Sequence, residues 1–337
     1  MHSKHMKKKY WSFKAEAVAL GLGLGIFAFA CQQEKIEEEV PISTVLKDKE
    51  RVFQGIDIKG DSLFTVLDSA ALNDQIKKLR EAESLYAKEP TLQNLIWVGR
   101  RQAYLGRHDL AIQTFGLAAQ KFPDAPEPLR HRGHRFITTR QFDKAVSDLE
   151  KAAQLMEGRP LEVEQDGMPN AQNIPLSNLQ FNVWYHLGLA EYLQGNYEKA
   201  LDAYQKCLEV SDNDDSIVAT LDWYYMTLVK LGRSEEASSL IRATDTESMT
   251  IIENDAYFKR MLMYKGLIQP DSLLNIQGDM ADSRLQYVTQ GYGVGNFLLA
   301  QGDTVKAKSI FDNVIQTGYW SAFGYIAAEK ELTLLRE

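Results

Sequence analysis

An alanine returns five times along this chain, at Ala111, Ala145, Ala200, Ala237 and Ala307, and four residues after each stands a large apolar side chain: Phe115, Leu149, Tyr204, Ile241 and Phe311. The intervals between the alanines are 34, 55, 37 and 70 residues. The second is one 34-residue period with 21 residues inserted, and the last leaves room for one degenerate unit. Apolar residues at helical spacing surround each alanine, so every unit reads as two amphipathic helices. Spacing alone would also suit unrelated helix pairs in a compact bundle; shared special positions argue for a repeat instead. Gly99, Gly133, Gly188 and Gly295 recur in the first helix, with Tyr225 as the exception, and Gly106, Gly195, Gly232 and Gly302 recur at the turn, with Arg140 as the exception. Small residues let the two helices of a pair approach closely, and the bulky residue is expected to fill the gap against the next pair. One pair cannot bury its apolar side alone, so the units must stack.

The clearest unit, WYHLGLAEYLQGNYEKALDAYQKCLEV from Trp184, and its counterparts from Trp97, His131, Asp222 and Gly293 resemble tetratricopeptide repeats over residues 91–316. The resemblance implies an all-α, right-handed α-α superhelix of about five to six helical hairpins with cap helices. Residues 75–88 would lead it and residues 322–336 would close it, keeping a charged outer side in water. Contacts in such an array stay local, so cooperativity should fall towards the ends. The resemblance also implies that first helices line a concave groove. Counted from the alanines, groove positions hold Trp97, Arg100 and Tyr104 in the first unit and Arg130, His131 and His134 in the second. They hold Tyr185 and His186 in the third and Trp223 in the fourth.

This lining joins aromatic faces to guanidinium forks, which suit carboxylate or phosphate. It fits an extended peptide, a protein partner or an anionic, partly apolar ligand. The other reading is that the tryptophans pack against neighbouring helices while the arginines pair with local acids. Related arrays hold peptide C-termini with basic residues, but their usual Lys and Asn pattern is missing here, so that specificity is not carried over. His131, His134 and His186 share the surface, yet Arg130, Arg132 and Arg135 surround them and oppose a divalent cation, so no metal site is assigned. The insertion over residues 157–177 carries Pro160, Pro169 and Pro175 with Glu162, Glu164, Asp166 and Asn170. It emerges beside the His131 and His186 helices, where it either walls the groove or is a plain surface excursion. No HExxH, GxSxG, Walker loop or dinucleotide fingerprint is found, so neither enzyme activity nor a cofactor is expected. Cys207 falls at a packed small-residue position.

Residues 1–30 differ from the rest. Lys4, Lys7, Lys8, Lys9 and Lys14 flank an apolar run over residues 15–30. That run is shorter than the roughly 20 residues of a spanning helix and reads as an export signal. Ala28 and Ala30 suit cleavage before Cys31. The stretch is similar to the lipobox of bacterial lipoproteins, whose cysteine is acylated, although Ala28 stands where that pattern has Leu. The alternative is a soluble periplasmic protein with an incidental Cys31. Only Cys207 remains besides it, so no disulfide framework is expected. Without residues 1–30 the chain has 33 basic and 45 acidic side chains, net −12. That charge opposes nucleic-acid binding and charge-driven membrane binding, leaving a palmitate-type lipid as the anchor. The expected organisation is a signal peptide over 1–30, a lipid-attached linker over 31–60 and the superhelix over 61–337. The whole reads as a non-enzymatic outer-membrane lipoprotein of the bacterial envelope, periplasmic or surface-facing, whose groove binds a protein or peptide. The alternative is glycan or small-ligand capture in a nutrient-uptake system.

Overall fold

The structure is a computed structural model that describes residues 49–335 apart from 69, 71, 168, 169 and 277–279; the export signal, the lipobox and Cys31 lie outside the described residues. The described chain opens with an antiparallel hairpin, β1 (Arg51–Ile56) and β2 (Ser62–Val66), followed by the leading helix α1 (Asn73–Lys88). Four helix pairs come next: α2 (Leu92–Tyr104) with α3 (His108–Lys121), and α4 (Glu127–Thr138) with α5 (Phe142–Leu155). After the insertion come α6 (Leu179–Gln194) with α7 (Tyr197–Glu209), then α8 (Asp214–Lys230) with α9 (Ser234–Ala243). The long interval holds α10 (Asp255–Tyr264) and the four-residue α11 (Pro270–Leu273), a truncated pair. The last pair is α12 (Met280–Ala300) with α13 (Thr304–Gln316), and α14 (Phe323–Leu334) ends the fold. The fold is a helical-hairpin array, as the repeats imply, with one small β-hairpin added.

All five repeat alanines are fully buried at 0% exposure. The glycines explain how the helices of a pair come so close. A side-chain carbon on Gly99 would lie 2.5 Å from the Phe115 ring, one on Gly133 2.7 Å from Leu149, and one on Gly188 2.7 Å from Tyr204; Gly295 and Phe311 repeat the arrangement. These are overlaps a packed interior does not allow. The bulky residue therefore fills the gap against the glycine of its own pair, a correction to its expected place against the next one. Phe115 reaches further and stacks on His131 of the following pair at 5.2 Å.

Local signals end the helices where the chain must turn. Thr91 and Asn178 cap α2 and α6 through their side chains, and Asn213 with Ser216 forms a capping box on α8. Arg140 takes the place of a turn glycine and adopts the same left-handed conformation, φ 61°. For a residue with a side chain this costs on the order of 1–3 kcal/mol. The compensation lies on the distant α14. There, Arg140 Nε and Nη2 donate to Glu329 Oε2 at 3.1 and 2.8 Å, with both side chains almost fully buried.

That pair belongs to a larger closure. Ile58 N donates to Glu329 Oε1 at 2.9 Å, and Trp320 Nε1 donates to the Phe64 carbonyl at 3.0 Å, so the β-hairpin and the C-terminal helix grip each other. Thr65 also donates to the Gly106 carbonyl and Gln54 to Asp109, which seats the hairpin on the α2–α3 turn. Two expectations are corrected. Residues 51–60, assigned to the linker, begin the folded unit. The acids of the closing helix do not face water, contrary to the expectation for its outer side: Glu329 and Glu331 are buried, and Glu331 meets Lys230 at 2.6 Å. Contacts are therefore not all local, because residues near both ends of the described chain are joined. Glu329→Gln, which leaves the Arg140 guanidinium uncompensated, should lower stability by about 3–5 kcal/mol in urea unfolding. Lys308→Ala, which removes an exposed pair to Asp312, should change it by no more than about 1 kcal/mol.

Candidate functional site

First helices of successive pairs touch one another along the inner side of the array: α2 with α4, α4 with α6, and α6 with α8. Two parts of the chain itself occupy that inner side. The first is the insertion, pinned at its base by a ribbon in which Glu164 N donates to the Ser177 carbonyl at 3.0 Å and Leu179 N to the Glu162 carbonyl at 2.7 Å. Its acidic side faces α4. Glu164 pairs with Arg130 at 2.9 Å, lies 3.8 Å from His131 Nε2 and accepts from Asn182 at 3.3 Å. Arg100 donates to the Gln165 carbonyl at 2.7 Å and to the Tyr104 hydroxyl at 3.2 Å, and Arg101 donates to the Gly167 carbonyl at 3.3 Å.

The second occupant is the C-terminal segment. Phe323 packs against His134 and His186, with ring centroids 5.0 and 5.6 Å away. Behind it, Trp223 stacks on Tyr292 at 5.7 Å and meets Tyr192 edge-on at 5.3 Å, while the Tyr192 and Tyr292 hydroxyls share a hydrogen bond of 2.7 Å. Two neighbouring cavities remain between these fillings. The larger, about 680 Å³, is lined by Tyr104, His134, Arg135, Trp223, Tyr257 and Phe323 among others. The smaller, about 260 Å³, is lined by Arg100, Arg130, His131, Arg135 and Glu164, and shares Tyr104 and His134 with the first.

The nine groove residues counted from the sequence do not form one open surface. Arg100, Tyr104, Arg130, His131 and His134 gather around the smaller cavity, and Trp223 faces the larger. Tyr185 is buried, with its hydroxyl on Tyr257 at 3.0 Å, and His186 is buried with Nδ1 donating to the Asn182 carbonyl. Trp97 lines neither cavity and stays on the edge, partly exposed between the guanidiniums of Arg100 and Arg101 at 4.3 and 4.9 Å. As an accessible groove the set is corrected: residues facing a hollow become interior once the chain fills it. An aromatic platform for sugar rings needs a free face, and Trp223, at 2% exposure, has none. Residues the sequence reading missed are Tyr257 and Phe323, and Arg135 was seen only as a charge opposing a metal. Glu164 was seen only as part of an acidic insertion, although an acid opposite a basic groove was the available signal.

The imidazoles are held neutral. Burial, reinforced by Arg135, brings His108 down to about 3. Burial with Arg130 pushes His131 and His186 well below the usual range, and burial with Arg135 does the same to His134. The Arg130 contact to His131 Nδ1 at 2.9 Å requires that nitrogen to accept, consistent with a neutral ring. Cys207 is likewise inert, fully buried and pushed up to about 12 by burial. Once unfolded, each histidine returns to about 6.5. Below that pH the unfolded chain takes up protons that the folded chain refuses, so this stability is complete above pH 6.5 and is lost as pH falls. Each such histidine contributes a slope of about 1.4 kcal/mol per pH unit in the window. Thermal unfolding followed by circular dichroism should give a lower Tm at pH 5.5 than at pH 7.5; an unchanged Tm would mean the rings carry charge in the fold.

Comparison with known proteins identifies the repeat. Residues 181–214, which span nearly all of α6, then α7 and the first residue of α8, match the family model of the tetratricopeptide repeat. Among curated proteins, the chain is 25% identical over 194 residues to BBSome complex member BBS4 of Bos taurus, covering 58% of this chain and 30% of that protein. It is 24% identical over 166 residues to small glutamine-rich tetratricopeptide repeat-containing protein 2 of Saccharomyces cerevisiae, covering 47% of this chain and 42% of that one. The chain thus spans less than half the length of the curated relatives it matches. Among solved structures it is similar to a tetratricopeptide repeat protein from Parabacteroides merdae, 16% identical, TM-score 0.45, covering 79% of this chain and 94% of that one. It is also similar to YrrB, a tetratricopeptide repeat protein with an unusual peptide-binding site, 14% identical, TM-score 0.39, covering 70% and 91%. The glycine-to-side-chain packing of the matched pair recurs in its neighbours, so residues 181–214 are one tetratricopeptide repeat within an array of similarly packed pairs.

Proposed function

We propose that this protein is a non-catalytic interaction scaffold of the bacterial envelope, exported by residues 1–30 and held at a membrane by lipid on Cys31. The observation that carries the interaction reading is the surface the array leaves open. The insertion and α14 occupy the hollow, so a partner does not lie through it as an extended strand. What remains is the rim where the insertion meets α2: Trp97, partly exposed, clasped by Arg100 and Arg101, beside the exposed Gln165 and Asp166. Tryptophan and arginine dominate binding energy at protein interfaces more often than other residues. The bovine relative is by its name a complex member, which favours a role in assembly. The lysines at the N-terminus, the short apolar run and the cysteine directly after it support export and lipidation.

Two measurements test this. A clickable palmitate analogue fed to the producing bacterium should label the wild-type protein and leave Cys31→Ser unlabelled; equal labelling of both would remove the anchor. Crosslinking and affinity purification from the envelope should recover one protein partner with the wild type and with Lys308→Ala. The double variant Trp97→Ala, Arg101→Ala should recover about tenfold less, the effect of losing roughly 1.4 kcal/mol of binding. Undiminished recovery would move the partner away from this rim.

A further inference from the structure

The arginines of α2, α4, the α4–α5 turn and α10 each have a side-chain partner among the described residues, with one exception. Arg130 pairs with Glu164, Arg132 with Asp148, Arg140 with Glu329 and Arg260 with Asp222. Arg100 donates to a carbonyl and a hydroxyl, and Arg101 to a carbonyl. Arg135, on α4, lines both cavities and has no side-chain hydrogen bond or ion pair among the described residues. Burial first, then the charges of Arg130 and Arg100, bring its guanidinium down to about 9, with Tyr104 the one group acting the other way. The acids on the cavity walls do not answer it. Glu164 is engaged by Arg130, while Glu253 and Asp166 are exposed at the edge. His134 and His186 are neutral and supply no negative charge. The guanidinium, partly exposed within the cavity, meets no anion supplied by the protein.

The remaining walls are aromatic. Trp223, Tyr257, Tyr292 and Phe323 line the same 680 Å³ cavity as Arg135, and exposed Leu285 and Gln286 stand at its mouth. That volume lies within the roughly 300–1,000 Å³ typical of small-molecule sites. We propose that this cavity binds a small organic carboxylate, its anionic group held by Arg135 and its apolar body against Tyr257 and Phe323. The planar guanidinium matches a carboxylate with two parallel hydrogen bonds. One uncommitted cation balances a single negative charge, which favours a carboxylate over a phosphate dianion. A small molecule fits where a peptide does not, because α14 and the insertion close the hollow. The site goes beyond the scaffold reading and stands or falls without it, since its test needs no partner protein.

The test uses the mature full-length chain with 3-phenylpropionate, its neutral amide and inorganic phosphate as probes, read by thermal shift and calorimetry. The carboxylate should raise the wild-type Tm by about 2 °C or more at millimolar concentration, and the amide and phosphate should not. Arg135→Met should abolish that rise while its own ligand-free Tm equals or exceeds the wild type's, since an apolar chain replaces an uncompensated charge. Arg135→Gln should lose the response in the same way and guards against a packing fault in the methionine variant. No shift with the carboxylate, an equal shift with the amide or phosphate, or a fall of several degrees in both ligand-free variants would each overturn the proposal.

Discussion

The whole architecture rests on side chains lying where the first side-chain carbon of a neighbouring residue would otherwise be. Tyr204 occupies that space at Gly188, Phe115 at Gly99, Leu149 at Gly133 and Phe311 at Gly295. The contact fixes how closely the two helices of a pair approach, and it is met in four of the pairs, so their geometry repeats. Repeated geometry between stacked pairs is what bends an array into a superhelix with an inner side. The fully buried alanines, set at the same point of each second helix, keep the pairs from separating.

An inner side rich in arginine and aromatic residues cannot stay both dry and unpaired. A guanidinium buried without an acceptor is destabilising, because an isolated charge in a low-dielectric interior costs several kcal/mol. Here most acceptors come from far along the chain. Asp222 lies 38 residues from Arg260, and Glu329 lies 189 residues from Arg140. Such pairs convert a quasi-linear stack, in which each repeat would answer only to its neighbours, into a closed unit whose two ends are linked. Burial raises the Asp222 carboxyl to about 6 even beside Arg260, and it pushes Glu329 upward in the same way. Desolvation thus opposes these pairs strongly. They contribute orientation more than net stability, fixing where α10 and α14 must lie.

What could be read from the sequence follows the same division between near and far. The repeat alanines, the glycines, the leading helix and the buried Cys207 are set by neighbours a few residues away, and periodicity exposes them. The β-hairpin was legible in principle: alternating residues in RVFQGI and SLFTV flank a turn at Gly60, but its position beside the expected linker hid it. Glu329 and Glu331 read as a solvent face because no local pattern announces a partner on another repeat. Arg140 was the best hint of that partner. A residue with a long side chain kept in a left-handed turn that suits glycine implies that the side chain is needed. Several of the counted groove residues, Arg100, Tyr104, Arg130, His131, His134 and Trp223, line the inner cavities, but lining a hollow meant binding surface only so long as nothing else filled it. Trp223 and His186 are buried by parts of the chain whose docking depends on tertiary contacts.

Filling the hollow changes the scale of what the array can bind. An open superhelix is compliant, and a peptide lying in it must order both itself and the repeats around it. With Trp320 bonded to Phe64 and Arg140 to Glu329, the ends are held and the interior walls cannot drift apart. The space that survives is small, aromatic and already shaped, so a ligand of matching size would meet little ordering cost on the protein's side. Under the proposed function, larger partners would be left the outer rim, where Trp97 stands on α2 beside the insertion. The same closure would then separate two kinds of recognition that an open groove would combine.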